Sequence, residues 1–150
     1  MSVSLDYFFN HDGDLSTLAK IVDQTIGSSF QPYEGAADDL FCRFLSLELT
    51  LSTHNLDDDL DCDFTSFRYQ IGTRTSVPDA DIRDIQIGIM SFVPAILFRR
   101  AGVGTGILVY DAQRLLGRYR VSNDQLFDEV EGRLVSFPDH LVSVNRRITR

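Results

Sequence analysis

The sequence predicts an α+β fold in which a mainly antiparallel sheet packs against two or more helices in a single layer. Three observations carry this expectation. Leu15, Leu18, Ala19, Val22 and Ile26 recur at helical spacing, the apolar stripe of an amphipathic helix. Phe41, Leu45, Leu47, Leu49 and Leu51 alternate with Cys42, Phe44, Ser46, Glu48 and Thr50, the period of two of a half-buried strand. Helices and strands then follow in mixed order rather than as repeated strand–helix–strand units, which favours helices segregated on an antiparallel sheet.

Element by element, Val3–Phe9 is rich in strand formers and runs into Asn10-His11-Asp12-Gly13, residue types that favour a tight turn. Asp14 is placed to cap the first helix and Gly27 to end it. Residues 28–39, with Pro32 and Gly35, read as a surface loop. A single long strand is expected over 41–51, an acidic turn over 55–63, and a second, antiparallel strand through Phe67, Tyr69 and Ile71. Asp79, Asp81 and Asp84 follow Pro78 and suit the positive end of a largely buried helix through Ile82, Ile85, Ile89, Val93 and Leu97. Pro94 is expected to kink or divide that helix, Arg99 and Arg100 lie near its negative end, and Ala101-Gly102 closes it. Residues 107–110 form a compact apolar strand. Residues 113–121 lean towards helix through Leu115, Leu116 and Tyr119. Ser122 and Gln125 have capping-box spacing before a short helix through Leu126 and Val130 that Gly132 ends. Residues 138–148 form the last helix. One globular domain of 150 residues accommodates all of this.

Charge is the most informative feature of the composition. The whole chain carries −8. Residues 1–63 hold thirteen acids against Lys20 and Arg43, a net −11, whereas residues 64–150 hold twelve arginines and nine acids, a net +3. Nucleic acid and anionic membranes are repelled by the first half, and a cationic protein is attracted to it. With 43% hydrophobic and 24% charged residues the composition is that of an ordinary globular domain. No apolar run is long enough for a membrane span, and the opening residues lack the pattern of a secretory leader. A cytoplasmic location and free thiols at Cys42 and Cys62 are the corresponding expectations, although the two cysteines sit on segments that could become neighbours.

Catalytic templates fail one by one. Counting a calcium loop from Asp57 puts Cys62 at the sixth position and Arg68 at the twelfth; counting from Asp59 puts Phe64 and Gln70 there. Glycine and glutamate are needed at those places. A zinc set drawn from Cys42, His54, Cys62 and either His11 or His140 has no close ligand pair to anchor it. There is no nucleophile elbow. Gly102-Val103-Gly104-Thr105-Gly106 follows a helix and opens a strand, the reverse of a dinucleotide fingerprint. No catalytic residue, metal ligand or cofactor is therefore assigned.

The stretch Gly106-Ile107-Leu108-Val109-Tyr110-Asp111-Ala112-Gln113-Arg114-Leu115-Leu116-Gly117-Arg118-Tyr119, following a long apolar helix, resembles part of small bacterial immunity-type proteins of polymorphic toxin systems. The resemblance implies a cytoplasmic protein that binds and blocks one toxin, often through acidic residues when the toxin is a basic nuclease. The leading expectation is a non-enzymatic domain that binds a basic protein through Glu34, Asp38, Asp39, Asp57, Asp58, Asp59, Asp61 and Asp63. The alternatives are a small-molecule or enzymatic pocket near Tyr110, Asp111 and Arg114, and a homodimer or larger assembly built on an exposed apolar strand edge.

Overall fold

The computed structural model describes residues 3–33, 36–53, 67–75 and 79–149. Its elements are β1 (Val3–Phe9), α1 (Leu15–Ile26), β2 (Gln31–Tyr33), β3 (Ala36–Phe44), β4 (Leu47–Thr53), β5 (Tyr69–Thr75), α2 (Ala80–Ala101), β6 (Gly106–Tyr110), β7 (Arg114–Ser122), β8 (Gln125–Asp128), β9 (Arg133–Leu134) and α3 (Asp139–Thr149). Among the described residues, nine strands form one sheet in the order β2-β3-β4-β5-β1-β6-β7-β8-β9. Every neighbouring pair is antiparallel. The expected fold class is the observed one. No helix is long and apolar enough to cross a membrane among the described residues.

The first strand of the chain is the middle of the sheet. β5 and β6 both run antiparallel to β1 from opposite sides, and α2 carries the chain across the sheet between them. Leu5, Tyr7 and Phe9 of β1 are at most 1% exposed and join α1, α2 and α3 in one core with Leu18, Val22, Met90, Val93, Leu97 and Val144. A second apolar cluster, Cys42, Leu47 and Leu49 with Ile82, Ile85 and Ile89, continues that layer towards β3. Two sides of α2 are thus apolar, as expected of a helix flanked by α1 and α3 over a sheet.

Asp14, Gly27 and Gly102 end their helices as expected, and Asp79, one of three acids expected at the positive end of α2, is its N-cap. The Asp14 carboxylate accepts from the Thr17 amide at 2.8 Å, and Gly27 closes α1 in the left-handed region at φ 77°. Asp79 accepts from the Asp81 amide at 2.8 Å and Gly102 ends α2. Asp14 is exposed, so its value is in the cap alone: Asp14→Ala is expected to lower the urea midpoint, and an unchanged midpoint contradicts the assignment. Pro94 does not divide α2, which runs unbroken for 22 residues.

Four expectations are corrected. Residues 28–39 are not wholly loop: β2 and the start of β3 form an edge hairpin, and Pro32 is tolerated because β2 is the outermost strand and one of its faces needs no ladder donor. Residues 41–51 are two strands, not one, joined at Leu45 and Ser46, both at positive φ (51° and 68°). Residues 113–121 are not helix: from Arg114 on they belong to β7, where Leu108 pairs with Gly117 and Val109 with Leu115, leaving Leu116 as the extra residue of a bulge. Residues 122–130 contain the β7–β8 hairpin, with Asn123 and Asp124 at positive φ and Ser122 paired with Gln125. Cys42 is a buried free thiol, and Cys62 lies outside the described residues.

Candidate functional site

The alternation of β1, β4 and β5 that sends Leu5, Tyr7, Leu49, Leu51 and Ile71 into the core sends their sequence neighbours to the opposite face. On that face the register builds three cross-strand rows. Arg43, Glu48, Arg74 and Ser4 stand side by side; then Phe41, Thr50, Gly72 and Asp6; then Asp39, Ser52, Gln70 and Phe8. Directly opposed side chains on such a ladder are in reach of one another. Asp6, Asp39, Glu48 and Arg74 line one cavity of about 240 Å³, together with hydroxyls of Ser4, Thr50 and Ser52 and the Gln70 amide.

Gly72 makes this possible. A Cβ there would collide with Asp6 Oδ1, so the missing side chain lets the Asp6 carboxylate lie across β5. There it accepts from Gln70 Nε2 at 2.9 Å. Burial raises the Asp6 carboxyl above its ordinary value of 3.8, against the lowering effect of the Gln70 hydrogen bond and of Arg74. A carboxyl held where its charge is disfavoured is the kind of group that marks a functional cavity.

The native state holds the Asp6 proton more tightly than the unfolded chain, so stability falls as pH rises from 3.8 through the raised native value and stays reduced above it. Asp6→Asn removes this dependence. Its urea midpoint is expected to exceed that of the wild type at pH 7 and to converge with it as pH falls towards 3.8; the same offset at both ends contradicts the assignment.

Of the eight acids expected to bind a partner, Asp39 is placed in this cavity. Asp38 belongs to β3, with its side chain outside the described set. Glu34, Asp57, Asp58, Asp59, Asp61 and Asp63 lie outside the described residues. Asp6, Glu48 and Arg74 were not singled out in the sequence; the signal that could have found them is their even spacing along alternating strands.

The polar groups near Tyr110 have another employment. Arg114 Nη1 donates to the carbonyls of Arg147 and Ile148, both at 3.0 Å, and so caps the end of α3. The Asp111 amide donates to the Ser4 carbonyl at 2.8 Å. The apolar half of the face opposite the helices is closed as well: Phe8, Phe67, Ile107 and Val109 cluster there, none more than 4% exposed. A larger cavity of about 1040 Å³ lies between α2 and the β8–β9 segment, where the rings of Phe92 and Phe137 stack at 4.0 Å and Arg99 and Arg100 line the wall.

A buried polar cluster that sequence reasoning missed occupies the β8 end of the sheet. Tyr119 Oη and His140 Nε2 are 2.8 Å apart, and Asp128 Oδ1 accepts from the amides of Arg118 (3.2 Å) and Val130 (3.0 Å). Burial raises the Asp128 carboxyl above 3.8 and the Tyr119 phenol well above 10.0, and lowers the His140 imidazole below 6.5. The zinc set weighed from the sequence is not assembled by its described members. Cys42 packs among apolar residues under α1 and α2, His11 Nδ1 accepts from the Gly13 amide at 2.9 Å, and His140 faces Tyr119.

No family model, curated protein or solved structure matches the chain.

Proposed function

We propose that this chain is a non-enzymatic binding domain that receives a basic side chain of a partner protein on the face of the sheet opposite its helices. One observation carries the reading: Asp6, Asp39 and Glu48 converge with a single arginine, Arg74, on one cavity. Three carboxylates against one guanidinium leave a net negative site, lined by hydroxyl and amide groups that accept hydrogen bonds. An arginine or lysine side chain enters such a site with charge-assisted bonds. Asp6 gains from the encounter, since an incoming cation offsets the burial that disfavours its ionised form.

The strongly negative first half of the chain supplies the long-range attraction that brings a basic protein to this face. In the form suggested by the local resemblance to immunity-type proteins, the partner is a basic bacterial toxin and the encounter takes place in the cytoplasm. Glu34, Asp38 and the acids of 57–63 then extend the contact surface.

The test is retention of basic proteins from a lysate of the source cell by immobilised wild type and by the Asp39→Asn/Glu48→Gln variant, at low and high salt. A basic protein held by the wild type at low salt, released by salt and lost from the variant supports the reading. Equal retention by both forms contradicts it.

A further inference from the structure

Asp128 ends β8, Glu131 lies in the turn to β9, and His140 stands in the first turn of α3. Three elements thus bring two carboxylates and an imidazole together, each offering one atom within 4.8 Å of the other two. His140 Nδ1 is 3.9 Å from Asp128 Oδ2 and 3.8 Å from Glu131 Oε2. These separations are too long for hydrogen bonds. Asp128 and His140 are each 1% exposed, and Asp128 Oδ2 and His140 Nδ1 have no hydrogen-bond partner among the described residues. Buried polar atoms left in this state are costly unless something else satisfies them.

The opposite atom of each residue is already held. Asp128 Oδ1 takes two backbone amides, Glu131 Oε1 pairs with Arg133, and His140 Nε2 meets the Tyr119 hydroxyl. Each donor is therefore oriented by an outer partner, with its other atom turned towards a common point. That is how ligating histidines and carboxylates are fixed around a metal.

We propose that Asp128 Oδ2, Glu131 Oε2 and His140 Nδ1 bind a divalent first-row transition-metal cation, with Zn²⁺ the best fit. Imidazole with carboxylates suits a borderline ion rather than Mg²⁺, which prefers oxygen. With bonds of about 2.1 Å, tetrahedral ligands stand about 3.4 Å apart, so the two carboxylates each close on His140 by a few tenths of an ångström from 3.9 and 3.8 Å, while the two carboxylate oxygens, within 4.8 Å of one another, close by up to about 1.4 Å. A dication balances the two carboxylates, and three protein ligands leave a fourth position for water. Glu131, 13% exposed, is the side from which the ion enters. Once bound, the ion fastens α3 to the β8–β9 end of the sheet. The three ligands share no residue with the sheet-face cavity.

The test titrates ZnCl₂ into the chelator-treated 150-residue protein by calorimetry, with thermal melting in parallel. The wild type is expected to bind one ion with a rise in Tm, and MgCl₂ at the same concentration to give neither. Glu131→Gln, at the least buried ligand, is expected to weaken Zn²⁺ binding at least tenfold with an unchanged far-UV spectrum. Asp128→Asn, which keeps the Oδ1 acceptor, is expected to do the same. Co²⁺ in place of Zn²⁺ is expected to give the absorption of a four-coordinate site. Absence of saturable one-to-one binding by the wild type overturns the proposal, and so does wild-type affinity in Glu131→Gln, which puts the ion on other acids.

Discussion

Gly106→Val is expected to leave the chain unfolded, and Gly106→Ala to lose about 1–3 kcal/mol of stability in urea denaturation. Gly106 lies on β6 opposite Phe9 of β1 and Tyr119 of β7. A Cβ at this position would run into the Tyr7 ring and its hydroxyl and would stand 2.7 Å from the Phe8 carbonyl. Tyr7 cannot swing aside. It is 0% exposed, its ring stacks on Phe9 at 5.6 Å and meets the Tyr119 ring edge-on at 5.8 Å. The Phe8 carbonyl is backbone in the central strand, so it cannot yield without disturbing the ladder. Overpacking in a closed core is relieved only by moving several neighbours together. The Tyr7 hydroxyl is itself buried without a hydrogen-bond partner among the described residues, so Tyr7→Phe is expected to be neutral or mildly stabilising. Gly106→Ala made together with Tyr7→Phe should then lose less than the sum of the two single changes. Strict additivity would show that the two positions do not meet.

Glu48→Lys is expected to weaken partner binding at least tenfold and Asp39→Lys/Glu48→Lys to abolish it, with the fold retained. Both positions are partly exposed and lie on the face away from the core, so reversing their charge removes no packing. The effect on binding has two parts. A close ion pair becomes a repulsion, and coupling between near charges across an interface is on the order of 1.5–7 kcal/mol. The field that accelerates encounter is also reduced, so the association rate falls and loses much of its salt dependence. The check is surface-plasmon measurement of the retained partner on wild type and variants at two ionic strengths. Equal rates for wild type and variants would remove the cavity from the interface.

How legible the fold is depends on which features are local. Asp14 and Gly27, Asp79 and Gly102 mark their helices because capping involves residues a few positions apart. β1, β6 and α3 are likewise visible in their own stretches. The failures come from local patterns with two physical readings. In β7 the bulge at Leu116 turns two successive residues, Leu116 and Gly117, to the helix side, with Tyr119 following, and this imitates helical spacing. Ser122 and Gln125, three apart, satisfy a capping box and also the pair that flanks a two-residue hairpin; Asn123-Asp124 between them favours the hairpin. At Leu45-Ser46 no residue type announced a left-handed turn. Alternation continued through the turn, but the facing parity reversed: Cys42 and Phe44 face the helices in β3, whereas Leu47, Leu49 and Leu51 do so in β4.

The candidate site was less legible because it is a product of register. An excess of acid in the first half was plain, and it pointed to a basic partner, but only pairing across four strands sets Asp6, Asp39 and Glu48 around one cavity. Asp6 sits in a strand whose other residues read simply as core. Nothing in the residues around Gly72 signals its role, which is to leave room for the Asp6 carboxylate. The Asp128, Glu131 and His140 cluster was hidden for a related reason: the expected helix over the first two conceals a hairpin that brings them back against α3.

The most direct measurement is an amide-resolved NMR titration of the ¹⁵N-labelled protein with an arginine-rich peptide at low salt. Saturable shifts are expected at Ser4, Asp6, Thr50, Gln70, Gly72 and Arg74, reversed by salt and lost in Asp39→Asn/Glu48→Gln. Shifts confined to residues 55–63 or to the helix side of the sheet, or shifts that persist in that variant, would contradict it.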